Sequence, residues 1–180
     1  SRYTHHFGAI EALKQEAKAA MHLAHPNIAR LYHFEDTPNC KYVLMEHVKG
    51  DSLAQIAAKR TGRRLAEPEV IRYMIEVCDA LSYAHKQNII HRDIKPSNIL
   101  INAEGRVKLA DFGIALINEK VSLDPDEVAG TPSYMSPEQI LGQPLDGRSD
   151  IYSLGVTMYE MLSGRPPFRG KDAKFQYITV

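Results

Sequence analysis

The chain has 180 residues, long enough for one well-buried core or two small lobes. Lysine plus arginine and aspartate plus glutamate both number 22, so the chain lacks the basic excess of nucleic-acid binders and polybasic membrane anchors. Cys40 and Cys78 have no metal-ligand spacing, which argues against a disulfide scaffold and favours a reducing, cytoplasmic compartment. No apolar run reaches bilayer length, so we expect no membrane contact from this segment. Because the charges balance, we also expect no nucleic-acid binding.

The front part of the chain combines helical and strand patterns. Residues 9–23 (AIEALKQEAKAAMHL) are rich in alanine, glutamate and lysine with apolar residues near helical spacing, and the following HPN predicts a stop. The runs IARLYHFED (28–36) and KYVLMEHV (41–48) are rich in branched and aromatic residues and enclose the turn composition TPNC. They predict a β-hairpin.

Beyond Gly50 the pattern becomes mostly helical. SLAQIAAKR (52–60) and PEVIRYMIEVCDALSYAHKQ (68–87) carry helical periodicity, and Pro68 stands where a first helical turn tolerates it. We therefore expect a mixed segment, 1–48, and a mostly helical one, 49–180. A basic cluster is interpreted as a solvated helix end rather than a nucleic-acid site: Lys59, Arg60, Arg63 and Arg64.

Two short motifs carry residues suited to phosphoryl transfer. HRDIKPSNILI (91–101) places Asp93 five residues before Asn98, with Lys95 between them. A carboxylate can orient an attacking hydroxyl, a cation offsets phosphate charge, and an amide oxygen can ligate Mg²⁺. VKLADFGIA (107–115) adds Asp111 at the end of a strand-like run, as a second expected Mg²⁺ ligand. The two motifs in this order are far more specific than either alone.

With these motifs the sequence resembles the eukaryotic-type (Hanks-type) Ser/Thr protein kinase catalytic domain, in the style of its bacterial branch. HRDIKPSN is similar to the catalytic loop, DFG to the metal-binding start of the activation segment, and GTPSYMSPEQ (130–139) to its end. SDIYSLGVTMYEMLSGRPPF (149–168) is similar to the helix that follows. The resemblance implies an α+β, two-lobed fold, ATP and Mg²⁺ as cofactors, and protein substrates with Ser or Thr acceptors. It also leaves room for kinase–kinase dimerisation.

Particular residues acquire roles through this resemblance. It implies that Asp93 orients the acceptor hydroxyl, that Lys95 contacts the transferring phosphate and that Thr131 buttresses Asp93. It further implies that Asn98 and Asp111 hold the metal.

The resemblance also implies a nucleotide site and a structural stack. Glu16 matches the helix glutamate that pairs with an ATP-binding lysine. Residues 45–48 match the gatekeeper and hinge, where the backbone of Glu46 and Val48 would bind adenine, and Leu100 joins this nucleotide-binding set. His91, Phe112, Leu31 and Ala20 resemble a hydrophobic stack, whose base Asp150 would hold through backbone N–H groups.

The sequence also departs from the kinase pattern. It contains no G-x-G, no strand lysine precedes Glu16, and the chain stops soon after RPPF. A fragment of a longer active kinase and a degenerate kinase are the two explanations. We favour the fragment, since decay would not keep Asp93, Asn98 and Asp111 together, and we expect the fragment alone to be inactive. The alternative function is a catalytically inactive kinase-like binding or scaffold module.

Overall fold

The computed structural model of the chain describes residues 19–37, 40–112 and 132–168. Residues 19–20 are helical and a turn occupies 21–22, so the predicted first helix ends before residue 23. The strands are β1 Leu31–Thr37, β2 Cys40–Met45, β3 Gly50–Ser52, β4 Ile99–Asn102 and β5 Val107–Leu109. The helices are α1 Leu53–Ala58, α2 Glu67–His85, α3 Pro137–Ile140 and α4 Gly147–Ser163, with 3-10 turns at Thr61–Arg63 and Pro132–Tyr134.

Strands β1 and β2 form an antiparallel hairpin, which confirms the prediction from the two branched and aromatic runs. Leu31 pairs with Met45 at the open end and Thr37 with Cys40 at the turn, and the register shifts between Leu31 and His33. Leu31 is buried whereas Leu44 is exposed, so the hairpin has a covered face and a solvent face.

Strands β3, β4 and β5 form a second, antiparallel sheet within the part predicted to be mostly helical. The strands have only three or four residues, too few to show alternation in the sequence. Gly50 allows the close pairing of β3 with β4, because a Cβ there would lie 1.9 Å from the Ile101 carbonyl oxygen. This sheet carries the loop ends at which Asn98 and Asp111 stand.

The helices begin and end at residues with the expected capping chemistry. Ser52 caps α1 in a capping box with Gln55, and Pro68 lies in the first turn of α2. Asp146 accepts a hydrogen bond from the Arg148 amide at the start of α4, and Gly164 ends that helix in the left-handed conformation. Helix α4 therefore starts two residues before the motif that predicted it. Of the helices in the described residues, none has the length and apolar character needed to span a membrane.

One hydrophobic core joins the front of the chain to the helical part. Helix α2 packs against α4 and β5 and buries one face, composed of Val70, Tyr73, Met74, Val77, Ala80, Leu81 and Ala84. Leu23 and Ile28 from the front segment belong to the same cluster. Ile28 also bridges to Leu109 in parallel, and the Ala29 amide donates to the Leu109 carbonyl at 2.9 Å. The division at residues 48 and 49 stays a prediction.

The basic cluster after α1 lies on the surface, as predicted. All four side chains are exposed. Lys59 pairs with Asp51 at 2.7 Å and Arg60 approaches Glu69 at 3.5 Å, both at solvent-exposed positions. Such pairs contribute little to stability.

Candidate active site

The loop between α2 and β4 brings Asp93, Lys95 and Asn98 into direct contact. Lys95 Nζ lies 2.7 Å from Asp93 Oδ2, and both side chains are partly exposed. Asn98 Nδ2 donates to the Asp93 carbonyl at 2.8 Å and to Asp93 Oδ2 at 3.0 Å. The amide therefore fixes both the backbone and the carboxylate of Asp93. The three residues that the motif predicted as a group form one cluster.

Asp111 enters this cluster from the end of β5. The Ala110 amide donates to the Asn98 carbonyl at 2.9 Å, which joins the two loops next to their functional side chains. Asp111 has a left-handed backbone with φ of 67°. Burial raises the pKa of Asp111 and the nearby charge of Asp93 raises it further, while His91 and Lys95 act in the opposite direction without outweighing burial. A carboxylate whose charge is disfavoured in this way gains from a neighbouring cation.

The donor set at this junction fits Mg²⁺. Asn98 presents its Oδ1 atom, which contacts the Ser97 hydroxyl at 3.3 Å, while its nitrogen is held by Asp93. Across the described ranges there is no cluster of three or more His, Cys, Asp or Glu side chains that could hold a metal. Mg²⁺ does not require one, because it commonly binds one or two protein oxygen ligands and completes its shell with water and phosphate. One amide and Asp111 are therefore a sufficient protein contribution.

His91 connects the two loops through both of its ring nitrogens. Nε2 lies 2.8 Å from the Ala110 carbonyl oxygen, which can only accept, and Nδ1 lies 3.2 Å from the Asp93 amide, which can only donate. This pairing assigns the donor role to Nε2 and the acceptor role to Nδ1. The imidazole is fully buried and packs on Phe112 with ring centroids 4.5 Å apart. Ala20 belongs to the same core cluster as Phe112, whereas Leu31 is buried outside it.

Asp150, near the start of α4, anchors the segment before Asp93. Its carboxylate is fully buried, and it accepts the His91 amide at 2.9 Å and the Arg92 amide at 2.8 Å. This confirms the expectation that Asp150 holds the loop through backbone N–H groups. His85 Nε2 also contacts Asp150 Oδ2 at 2.7 Å. Sequence reasoning missed His85, whose position at the end of α2 gave no sign of a partner 65 residues away.

Arg92 occupies a strained conformation between these anchors. Its φ is 69°, in the left-handed region that costs a non-glycine residue about 1–3 kcal/mol. Such a conformation persists when its surroundings overdetermine it. The Asp150 carboxylate holds its N–H, and Gln139 Nε2 donates to its carbonyl at 2.7 Å.

The segment predicted to bind adenine runs between β2 and β3. The Glu46 amide donates to the Arg30 carbonyl at 2.7 Å, and the Glu46 carboxylate pairs with Lys108 at 2.9 Å. Burial by itself raises the pKa of Glu46, but hydrogen bonds from Lys108 and from the Arg30 amide outweigh it and lower that pKa. The side chain of Glu46 thus fixes this segment against Lys108 and the Arg30 amide. Val48 lies in irregular backbone, partly buried.

Leu100 lies on the same side of the second sheet as this segment. Its neighbours Ile99 and Ile101 are buried in the core, so Leu100, partly exposed, points to the other face. Leu100 pairs across the strands with Lys108, whose ammonium reaches Glu46. Two other predicted site residues, Glu16 and Thr131, lie outside the described residues.

The end of the GTPSYMSPEQ motif is tied to α4 by side-chain hydrogen bonds. Ser153 donates to the Tyr134 carbonyl at 2.7 Å, and the Tyr134 hydroxyl donates to Glu160 at 2.5 Å. Burial and the Glu160 carboxylate raise the pKa of Tyr134, so the hydroxyl remains a donor. Ser149 donates to Glu138 at 2.5 Å. These contacts seat residues 132–140 beside the loop that carries Asp93.

Comparison with known proteins matches this arrangement to one family. The protein kinase domain model matches residues 3–179. The probable serine/threonine-protein kinase PknB of Bifidobacterium longum is 41% identical over 185 residues, covering 94% of this chain and 26% of the relative. The serine/threonine-protein kinase PrkC of Bacillus subtilis is 38% identical over 165 residues, covering 91% of this chain and 25% of the relative. This chain therefore spans about a quarter of the length of these two relatives.

Solved structures give the same result for the fold. The crystal structure of the Mycobacterium tuberculosis PknI kinase domain, as its C20A mutant, matches with a TM-score of 0.76 and 29% identity. The match covers 90% of this chain and 60% of that structure. The chain accordingly has an α+β, protein kinase-like fold and covers part of it.

Proposed function

The chain belongs to the Hanks-type Ser/Thr protein kinase family, and we propose that the protein containing it transfers the γ-phosphoryl group of ATP to Ser or Thr hydroxyls of proteins. The observation that carries this proposal is the position of Asn98 between the two loops. Its side-chain amide donates to the Asp93 carboxylate at 3.0 Å, and its backbone carbonyl accepts the amide of Ala110, the residue before Asp111. Acceptor-orienting and metal-ligating groups thereby share one rigid junction, as phosphoryl transfer requires.

The carboxylate of Asp93 is set up to receive a hydroxyl proton. Lys95 and Asn98 both contact Oδ2, at 2.7 and 3.0 Å. Within the described part of the chain, Oδ1 has no hydrogen-bond partner, so it is the oxygen that would orient the acceptor hydroxyl. Lys95 also lies where its charge would offset that of the transferring phosphate. Thr131 would support Asp93 from the neighbouring segment.

Nucleotide and metal binding use the remaining predicted residues. Asn98 Oδ1 and the Asp111 carboxylate would hold Mg²⁺, which neutralises phosphate charge when bound. The carbonyl of Glu46 and the amide of Val48 would receive adenine, with Leu100 against the ring. Glu16 would pair with a lysine that binds the phosphates; Lys14 is the one lysine before Glu16 in these 180 residues, and it belongs to the predicted helix rather than to a strand. We propose that the longer protein supplies that lysine and a glycine-rich loop.

Protein substrates with Ser or Thr acceptors are the partners proposed, and dimerisation stays a prediction. We propose that this segment lies in the cytoplasm. Its two cysteines, which have no metal-ligand spacing, suit a reducing compartment, and the proposed use of ATP agrees with this. The competing proposal is a kinase-like module that binds without turnover.

The test compares the longer protein, its Asp93→Asn variant and the 180-residue chain in one assay with labelled ATP and a generic Ser/Thr substrate. Calorimetry measures Mg-ATP affinity in parallel. We expect turnover from the longer protein, loss of at least about a hundredfold in the variant, and negligible turnover from the 180-residue chain. Mg-ATP binding without turnover by the longer protein, unchanged by Asp93→Asn, would instead support the binding module.

A further inference from the structure

Gln139 reaches from helix α3 to the residue immediately before Asp93. Its Nε2 donates to the Arg92 carbonyl at 2.7 Å, across 47 positions of sequence. On the other side of the same residue, the Arg92 amide donates to Asp150 Oδ1 at 2.8 Å. Arg92, with a left-handed backbone at φ 69°, is thus held by hydrogen bonds at both its N–H and its carbonyl, an arrangement that we call the clamp.

The other end of the Gln139 amide is used locally. Its Oε1 accepts a hydrogen bond from the Ser136 backbone N–H at 2.9 Å. The Gln139 backbone N–H in turn donates to the Ser136 hydroxyl at 3.4 Å, and the two bonds form the capping box of α3. The oxygen therefore fixes the side chain within its own segment, and the nitrogen is aimed at the catalytic loop. Ser136 is completely buried, so this cap is shielded from water.

We propose that Gln139 is a positioning residue for the acceptor-orienting Asp93, an inference that rests on the proposed kinase function. The peptide carbonyl that it binds is that of Arg92, whose carbon is bonded to the Asp93 nitrogen. Rotation of that peptide would move the Asp93 side chain. It would also move the Asp93 backbone N–H, which donates a hydrogen bond to His91 Nδ1 at 3.2 Å. Displacements of about 1 Å at a reacting group can reduce rates by about a hundredfold.

The clamp also gives residues 132–140 a route to Asp93. Contacts from Ser153 and Glu160 seat Tyr134 on α4, and the Ser136 backbone amide holds Gln139 Oε1, a contact that does not involve the Ser136 hydroxyl. The segment that ends the GTPSYMSPEQ motif thereby contacts the catalytic loop through one side-chain amide. Its correct seating is one of the conditions for Asp93 to be oriented.

Two substitutions separate the clamp from the cap. Gln139→Glu keeps an oxygen for the Ser136 amide but replaces the donor to Arg92 with a second acceptor. Ser136→Ala removes the cap hydroxyl and leaves the Gln139 donor in place. Gln139→Met, similar in shape and uncharged, shows whether the new charge of the glutamate matters. Each is made in the longer kinase, and kcat, the KM for ATP and hydrogen–deuterium exchange of residues 89–98 are measured.

We expect Gln139→Glu and Gln139→Met to lower kcat by about ten- to a hundredfold with the KM for ATP changed less than about threefold. Exchange of residues 89–98 should become faster in both. Ser136→Ala should retain kcat within about threefold. Equal kcat loss in Ser136→Ala, or wild-type kcat and exchange in both Gln139 variants, would overturn the inference. If the wild-type kinase shows no turnover, the proposed function fails, and the exchange data alone then decide for or against the clamp.

Discussion

Replacing Asp150 with alanine tests the anchor on which the catalytic loop depends. The side chain has no exposed surface, and its two oxygens accept the amides of His91 and Arg92 and contact His85. Asp150→Ala removes the acceptor of the buried His91 amide and of the partly buried Arg92 amide, and each unsatisfied amide costs about 1–3 kcal/mol. The free energy of unfolding should therefore fall by about 2–6 kcal/mol. For a domain of 150–250 residues this lowers the melting temperature by at least about 4 °C.

The assay is thermal unfolding of the kinase, followed by circular dichroism at pH 7.5, together with kcat at a temperature where the variant is folded. Asp150→Asn should lie between wild type and Asp150→Ala, because one amide oxygen remains and an NH₂ group faces a backbone donor. The matched control is Asp79→Ala, which removes an exposed carboxylate from helix α2. A melting temperature for Asp150→Ala within 2 °C of wild type, or an equal loss in the control, would show that Asp150 does not anchor the loop.

Three further outcomes follow from the geometry. Asp93→Asn and Asp111→Asn should each remove most kinase turnover, but only Asp111→Asn should sharply weaken Mg-dependent ATP binding in calorimetry; equal weakening would mean that the roles are wrongly divided. Glu46 has a folded-state pKa below its ordinary 4.5, so its stabilisation is complete above pH 4.5 and disappears as the pH falls through the folded value. The stability difference between wild type and Glu46→Gln in urea should accordingly be constant from pH 6 to 8 and narrow below 4.5, and a difference that persists at pH 3 would contradict this. Asn27→Ala should cost about 2–3 kcal/mol, since the buried amide donates to Glu76 at 2.8 Å and to the Val107 carbonyl at 3.0 Å. Asn102, partly exposed at the end of β4, is the control, and an equal loss in Asn102→Ala would show that burial does not set the cost.

Features that depend on residues close together in the chain could be predicted from the sequence. Asp93, Lys95 and Asn98 lie within six positions, so a single loop brings them together whatever surrounds it. Helix α2 follows from apolar residues at helical spacing with proline in its first turn, and the β1–β2 hairpin from two branched runs around a turn. In these cases the interaction that fixes the structure is local and visible in the order of residues.

Hydrogen bonds between polar groups far apart in the chain could not be predicted from the sequence. His85 contacts Asp150 across 65 positions, Lys108 contacts Glu46 across 62, and Gln139 contacts Arg92 across 47. Periodicity shows which face of a helix is buried, but not which carbonyl or carboxylate will lie opposite a given side chain. That depends on how α2, α4 and the second sheet pack, because a hydrogen bond requires its two atoms to lie within about 3.2 Å of each other. The orientation of Asp93 is therefore set by residues whose roles exist only in the folded chain.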